Sequence, residues 1–376
     1  MAPIRPSGPA GARWEDGRVS LSAEHPLVDG RTTRSPLVRA LRGDRPERTP
    51  VWFMRQAGRS LPEYRELRVS TKMLDACLDP ALASEITLQP VRRHGVDAAV
   101  FFSDIVVPVL LAGVGVEIVP GRGPVIDEPI RTASDVLKLR PIEPSALDPI
   151  REAVKLTVAE LGETPLIGFA GAPFTLASYL VEGGPSKDQG RARALMYSDP
   201  HAWATLLNWC ADVSGEFLRA QVESGASAVQ LFDSWVGSLS RRDYQRRVAP
   251  HSERAFSHLR GIADADDRTV PKIHFGLGGG EFLDVMRDIG ADAIGVDWRI
   301  PLDEANRRLG GTTPLQGNID SALLGAPWST LRSHVDEVVD RGLAAPAHVV
   351  NLGHGVPPET DPDVLTRIVR VVHGEE

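Results

Sequence analysis

Two arginines four residues apart, Arg55 and Arg59, enclose Gln56-Ala57-Gly58 directly after the apolar run Val51 to Met54. Each guanidinium can grip a carboxylate or phosphate through two parallel hydrogen bonds, so the pair offers an anion clamp at the end of a strand. A pair of solvated surface arginines is the alternative reading. Asp104 follows Phe101-Phe102-Ser103, where an ionised carboxylate is costly unless a cation or a hydrogen-bond donor faces it. As a lone aspartate it reads equally as the cap of the next helix. His354 stands between Gly353 and Gly355 with little side-chain crowding, and a packed structural histidine is its rival reading. Tyr179, within Leu176-Ala177-Ser178-Tyr179-Leu180, reads more simply as core than as a reactive phenol. Ser234 follows Asp233 without any G-x-S-x-G elbow, which leaves a serine-hydrolase reading weak.

Other chemistries lack their residues. The cluster Gly276-Leu277-Gly278-Gly279-Gly280-Glu281 has a glutamate in place of the last glycine of a dinucleotide fingerprint, and it follows the fifth apolar run rather than the first. Phosphate-loop, H-E-x-x-H and calcium-loop patterns are missing, and the 10 histidines are scattered. The 2 cysteines, Cys77 and Cys210, make neither a zinc site nor a disulfide framework, which fits a reducing compartment. A net charge of −8 provides no general attraction for nucleic acid or an anionic membrane. The longest apolar run, Ile105 to Val116, contains Pro108 and is too short to span a bilayer. The chain reads as a soluble cytoplasmic protein.

The elements that must hold these residues follow a repeating order. Eight short apolar runs, Val51–Met54, Ala98–Phe102, Leu166–Ala170, Ala228–Phe232, Pro271–Phe275, Ala293–Val296, Thr313–Gln316 and His348–Leu352, are each followed by polar or small residues and a longer amphipathic stretch. Strands alternating with helices imply a parallel sheet, and eight doubly buried runs fit an α/β fold of the (β/α)8 TIM-barrel type. An open doubly wound sheet is the main rival. Three runs follow a glycine helix exit at Gly95, Gly225 and Gly290. Residues 105–150 form an insertion in an early βα loop, where Val116–Val119 and Val125–Ile130 suit a hairpin. Residues 1–34 show no apolar period and read as a disordered extension. The barrel then occupies 35–376, opening with Ser35 as N-cap and Pro36 at the first helical position. Barrel sites lie at the carboxyl ends of strands, where Arg55, Asp104, Ser234 and His354 all fall.

The segment Pro50-Val51-Trp52-Phe53-Met54-Arg55-Gln56-Ala57-Gly58-Arg59-Ser60-Leu61-Pro62-Glu63-Tyr64 resembles the N-terminal signature of the uroporphyrinogen decarboxylase family, and the stretch from Gly168 to Gly184 resembles its second signature. Phe102-Ser103-Asp104-Ile105, Leu231-Phe232-Asp233-Ser234-Trp235 and Asn351-Leu352-Gly353-His354-Gly355 extend the similarity over residues 35–373. The resemblance implies a distorted (β/α)8 barrel, a homodimer without cofactors, and removal of the four acetate carboxyls of uroporphyrinogen III to give coproporphyrinogen III. It also implies substrate-site roles for Arg55, Gln56, Ala57, Gly58, Arg59, Asp104, Tyr179, Ser234 and His354, with Arg55, Asp104, Tyr179 and His354 as catalytic. A pyrrole protonated on a ring carbon accepts the electrons of the breaking bond, so the substrate is its own electron sink and no metal or organic cofactor is needed. Asp104 would then accept the pyrrole N–H groups and stabilise the ring cation. Methyltransferases of the same superfamily bind zinc through a strand-end histidine and cysteines; His274 stands there, but no cysteine follows Cys210. A tetrapyrrole-binding protein without turnover is the non-enzyme alternative, against which Asp104 argues.

Overall fold

The computed structural model of the chain describes residues 14–15 and 18–376. Its strands in chain order are β1 (Trp14–Glu15), β2 (Arg18–Ser20), β3 (Ala99–Val100), β4 (Val116–Val119), β5 (Gly123–Ile126), β6 (Leu166–Gly171), β7 (Ala228–Asp233), β8 (Ile262–Ala263), β9 (Lys272–Gly276), β10 (Ala293–Gly295), β11 (Leu315–Ile319) and β12 (His348–Leu352). Seven of them form one sheet in the order β12-β11-β10-β9-β7-β6-β3. Every pairing within it is parallel, so all its carboxyl ends share one edge. Each residue of β6, β11 and β12 is buried, as expected of strands covered on both faces.

The expected second to eighth apolar runs all lie in this sheet, with shifted ends. Pro271 falls outside β9 because it has no N–H to give the ladder, and the run expected at Thr313–Gln316 is carried on to Ile319. The first run, Val51–Met54, forms only an isolated parallel bridge between Val51 and Val350. Its backbone donors are taken elsewhere. Val51 N–H goes to Asp97 Oδ2, Phe53 N–H to Gln56 Oε1 and Met54 N–H to Asn351 Oδ1. Only Trp52 N–H reaches a strand carbonyl, that of Val350, while Asp97 N–H donates to Val51 O on the other side. Side chains thus replace the ladder and let the chain turn at once into Arg55. A buried polar chain links this run to the sheet, from Trp52 Nε1 to Gln316 Oε1 (3.1 Å) and from Gln316 Nε2 to Gln230 Oε1 (2.9 Å).

Local signals explain the helices that space the strands. Ser35 Oγ accepts the Val38 N–H above the helix Pro36–Leu41, and Asp79 caps Pro80–His94 by accepting Leu82 N–H. That second helix ends at Gly95, whose φ of +66° lets the chain reverse into β3. The insertion is the expected antiparallel hairpin, with Val116 opposite Ile126, although its second arm is Gly123–Ile126 rather than 125–130.

The expectation of disorder to residue 34 fails for the described part of the segment. β1, β2 and β8 form a small second sheet, and Leu27 is buried. His25 donates from Nε2 to Val222 O (2.9 Å) and accepts Leu27 N–H at Nδ1 (3.1 Å), so burial holds it neutral, with a pKa lowered to about 4. Thr32 Oγ1 bonds Ser227 Oγ at 2.9 Å, just before β7. Successive turns satisfy this backbone, which is why no periodicity announced it. The rest of the expected extension, residues 1–13 and 16–17, lies outside the described residues.

Candidate active site

Past the carboxyl edge of the sheet opens a cavity of about 390 Å³ lined by Arg55, Trp298, Asp320, Ser321, His354 and Pro358, among others. Arg55 reaches it from a backbone turn at φ +62°, a left-handed conformation that costs a non-glycine residue of order 1 kcal/mol. Its side chain lies flat on Gly355, where an added Cβ would stand 2.5 Å from Arg55 Cδ. Glycine beside His354 is therefore a steric requirement of the arginine. Arg55 is exposed, and its guanidinium makes no hydrogen bond or ion pair among the described residues.

Around this free charge stand three of the expected residues. Asp104, beyond β3, is half-buried, and burial pushes its carboxyl upward from the ordinary aspartate value against the opposing pull of Val106 N–H and Arg55. Its Oδ1 accepts that Val106 N–H at 3.0 Å, so Asp104 does cap its own turn while its other oxygen stays uncommitted. Tyr179, on the helix Pro173–Glu182 that follows β6, has its phenol pushed up by burial first and by the Asp104 charge second. Its ring lies 4.1 Å from that of Trp235, tilted by 32°. His354 is held below the usual imidazole value by burial, then by the charge of Arg55. Ser234, directly after β7, is half-buried, and its hydroxyl has no partner among the described residues.

Two expected residues stand apart from this group. Gln56 is buried, and its side-chain amide is spent on Phe53 N–H and Ala98 O, each at 3.0 Å, so it braces the turn instead of facing the cavity. Arg59 lines a neighbouring cavity of about 440 Å³ with Tyr64, Arg65, Arg68 and Pro358. Pro358 borders both cavities, and the half-buried turn at Ala57 and Gly58 separates the two arginines. The pair expected at one rim thus serves two adjacent hollows.

Sequence reasoning passed over Trp298 and Arg299. Trp298 and His354 meet edge to face (centroids 6.3 Å apart), and the Arg299 guanidinium lies over the same indole at 4.0 Å while pairing with Asp297 at 2.6 Å. An aromatic immediately after a strand-end aspartate was the available signal. Phe169, Phe232 and Phe275 on β6, β7 and β9 meet edge to face at 5.3 and 6.2 Å. An unpartnered arginine with an indole, an imidazole and a carboxylate near it suits a multiply carboxylated organic anion.

Comparison with known proteins agrees with that chemistry. The family model for uroporphyrinogen decarboxylase matches residues 32–375. The uroporphyrinogen decarboxylase of Leifsonia xyli subsp. xyli is 65% identical over 371 residues, covering 95% of this chain and 98% of the relative. That of Arthrobacter sp. is 66% identical over 346 residues, covering 92% and 99%. Among solved structures, a methyltransferase from Methanosarcina mazei superposes with a TM-score of 0.74 over 91% of this chain and 98% of that one. At 19% identity this last likeness bears on the fold alone.

Proposed function

The chain belongs to the uroporphyrinogen decarboxylase family, and from that premise we propose how the cavity performs the decarboxylation of uroporphyrinogen that this carboxy-lyase contributes to porphyrin and haem biosynthesis. What carries the reading is one observation: Arg55, whose guanidinium makes no hydrogen bond or ion pair among the described residues, shares with His354 a cavity past the carboxyl edge of the parallel sheet, the edge at which Asp104 and Ser234 also stand.

The steps follow from the groups. Arg55 holds one substrate carboxylate, and Arg59, in the adjoining hollow, holds another farther out on the macrocycle. The pyrrole bearing an acetate takes up a proton on a ring carbon and becomes a cation. The acetate C–C bond then breaks, carbon dioxide leaves, and the bonding pair flows into the ring as an exocyclic methylene. Protonation of that methylene and loss of the ring proton give a methyl group. Each round thus consumes one proton net and releases one carbon dioxide. Asp104 accepts the pyrrole N–H groups and stabilises the ring cation, whose arrival also relieves the cost of burying the carboxylate. Tyr179 stays protonated at neutral pH and donates a hydrogen bond; His354 stays neutral and offers one nitrogen as acceptor. Ser234 contributes a free hydroxyl. The ring serves as electron sink, so the reaction runs without metal or organic cofactor.

We further take residues 35–376 as one barrel domain, with 51–54 as an eighth strand joining β12 to β3. The hydrogen bonds of Val51 and Trp52 to both sides support this closure. The resemblance also leads us to expect a cytoplasmic homodimer, which light scattering after gel filtration checks. Among the described residues no helix is long and apolar enough to cross a membrane. The deciding experiment is incubation with uroporphyrinogen III under reducing conditions: a product four carboxyls poorer is expected, and an unchanged carboxyl count overturns the reading. Activity should persist in full after chelation and dialysis; a loss restored by a metal ion would overturn the cofactor-free route.

A further inference from the structure

Asp233 ends β7, and its side chain is fully buried. Its Oδ1 accepts the Thr175 hydroxyl at 2.8 Å, and Thr175 is equally buried. Its Oδ2 lies 3.7 Å from His274 Nε2, too far for a hydrogen bond. Thr175 is therefore the one hydrogen-bond donor to this carboxylate among the described residues. A fully buried carboxyl group with a single donor makes that bond consequential, because losing it leaves the group with no hydrogen bond at all.

What the bond joins gives it meaning. Thr175 and Tyr179 sit four residues apart on the helix Pro173–Glu182, one turn above the other on the same side. Asp233 immediately precedes Ser234 and Trp235, and Trp235 is the ring against which Tyr179 lies at 4.1 Å. The helix start is tied to the same strand end by Ala172 N–H donating to Phe232 O at 2.9 Å. The Asp233–Thr175 bond is thus the side-chain half of a clamp that sets the height and rotation of the tyrosine-bearing helix over the end of β7. We infer that Asp233 and Thr175 are positioning residues for the decarboxylation, acting through Tyr179 by fixing its phenol relative to Ser234 and Trp235. This rests on the reading of Tyr179 as an active-site group.

A double-mutant cycle tests it with uroporphyrinogen III as substrate, measured well below the melting temperatures of all variants. Thr175→Val removes the hydroxyl at nearly constant volume and should lower kcat about tenfold with KM changed less than twofold. Thr175→Ser retains the hydroxyl and should recover kcat to within about twofold of wild type. In a Tyr179→Phe background, Thr175→Val should cost less than twofold more, because the group it positions is gone. If Thr175→Val does not fold, Asp233→Asn takes its place, weakening the bond from the acceptor side with the same non-additivity expected. Losses that simply multiply would overturn the inference while leaving the role of Tyr179 intact, and so would failure of Thr175→Ser to rescue. An unchanged kcat in Tyr179→Phe alone would remove the site reading, and this inference with it.

Discussion

Asp97 and Asp104 bracket the same two-residue strand, β3, at its opposite ends. Asp97, at the amino end, is fully engaged: Arg48 reaches Oδ1 at 2.7 Å, and Val51 N–H and His373 Nε2 reach Oδ2, each at 2.8 Å. Asp104, at the carboxyl end, has Val106 N–H and otherwise only the field of Arg55. The contrast extends across the sheet. At the amino edge His25 and Thr32 are hydrogen-bonded and Arg42 pairs through Nη2 with Asp264 (2.6 Å), whereas at the carboxyl edge Arg55 and Ser234 have no partner among the described residues. Asp97, with its partners found, holds the fold; Arg55 and Ser234, without partners among the described residues and reachable from outside, are available to a ligand. The same amino acid type takes either part according to the end of the strand on which it falls.

The largest expected effect breaks the comparison at its sharpest point. Asp104→Asn should lose turnover by about 10²- to 10³-fold, the usual cost of deleting one preorganised electrostatic group, while keeping the acceptor for Val106 N–H. Its fold should gain stability. Burial raises the Asp104 pKa in the folded state, so the ionised form opposes folding above that value. The melting temperature of the variant should therefore exceed wild type at pH 8, and the excess should shrink as pH falls toward the unfolded value of about 4. Near-normal turnover would leave Asp104 as a cap and nothing more. Asp97→Ala should do the reverse, costing of order 3 kcal/mol in denaturant unfolding while kcat at permissive temperature changes little.

Next in size, the two arginines should separate. Arg55→Ala is expected to depress kcat and kcat/KM together, since this guanidinium lines the same cavity as His354. Arg59→Ala should chiefly raise KM, and Arg59→Lys should restore part of the loss because an ammonium cannot form the two parallel bonds. Equal kinetic profiles for the two alanine variants would merge the two hollows into one.

The smallest effect concerns the amino edge. The folded-state pKa of His25 is about 4, below the ordinary 6.5, so its stabilising contribution is full above pH 6.5 and drains away as pH falls toward 4. Thermal melts between pH 7 and 4.5 should show a steeper loss for wild type than for His25→Gln, with decarboxylation at pH 7.5 unchanged in the variant. Parallel curves would detach this segment from the stability of the barrel.

Much of this architecture could be read before any coordinates, because doubly buried strands and glycine exits leave local signatures. The hairpin at Val116–Ile126 and the capped start at Ser35-Pro36 were legible for the same reason. What escaped was decided by long-range partners. Gln56 turns inward to donate to Ala98 O on the neighbouring segment, 42 positions on, and nothing in Arg-Gln-Ala-Gly-Arg encodes that. Residues 21–34 order through Val222 and Ser227, nearly two hundred positions away, with turns in place of a period. The candidate site residues came through motif resemblance; that Arg55 and Arg59 line separate cavities is visible only in three dimensions.

That arginine, lying flat on Gly355, sets a schedule for synthesis. The contact joins positions 55 and 355 of a 376-residue chain, so its two halves are made 300 residues apart. At ~5–20 residues per second a ribosome needs about 15–60 s to cover that distance. Throughout that interval Trp52 and Phe53, fully buried in the finished protein, have no β12 to meet. The nascent enzyme therefore carries this apolar segment without its β12 partner through most of its translation, and the contact that seats Arg55 on Gly355 forms among the last.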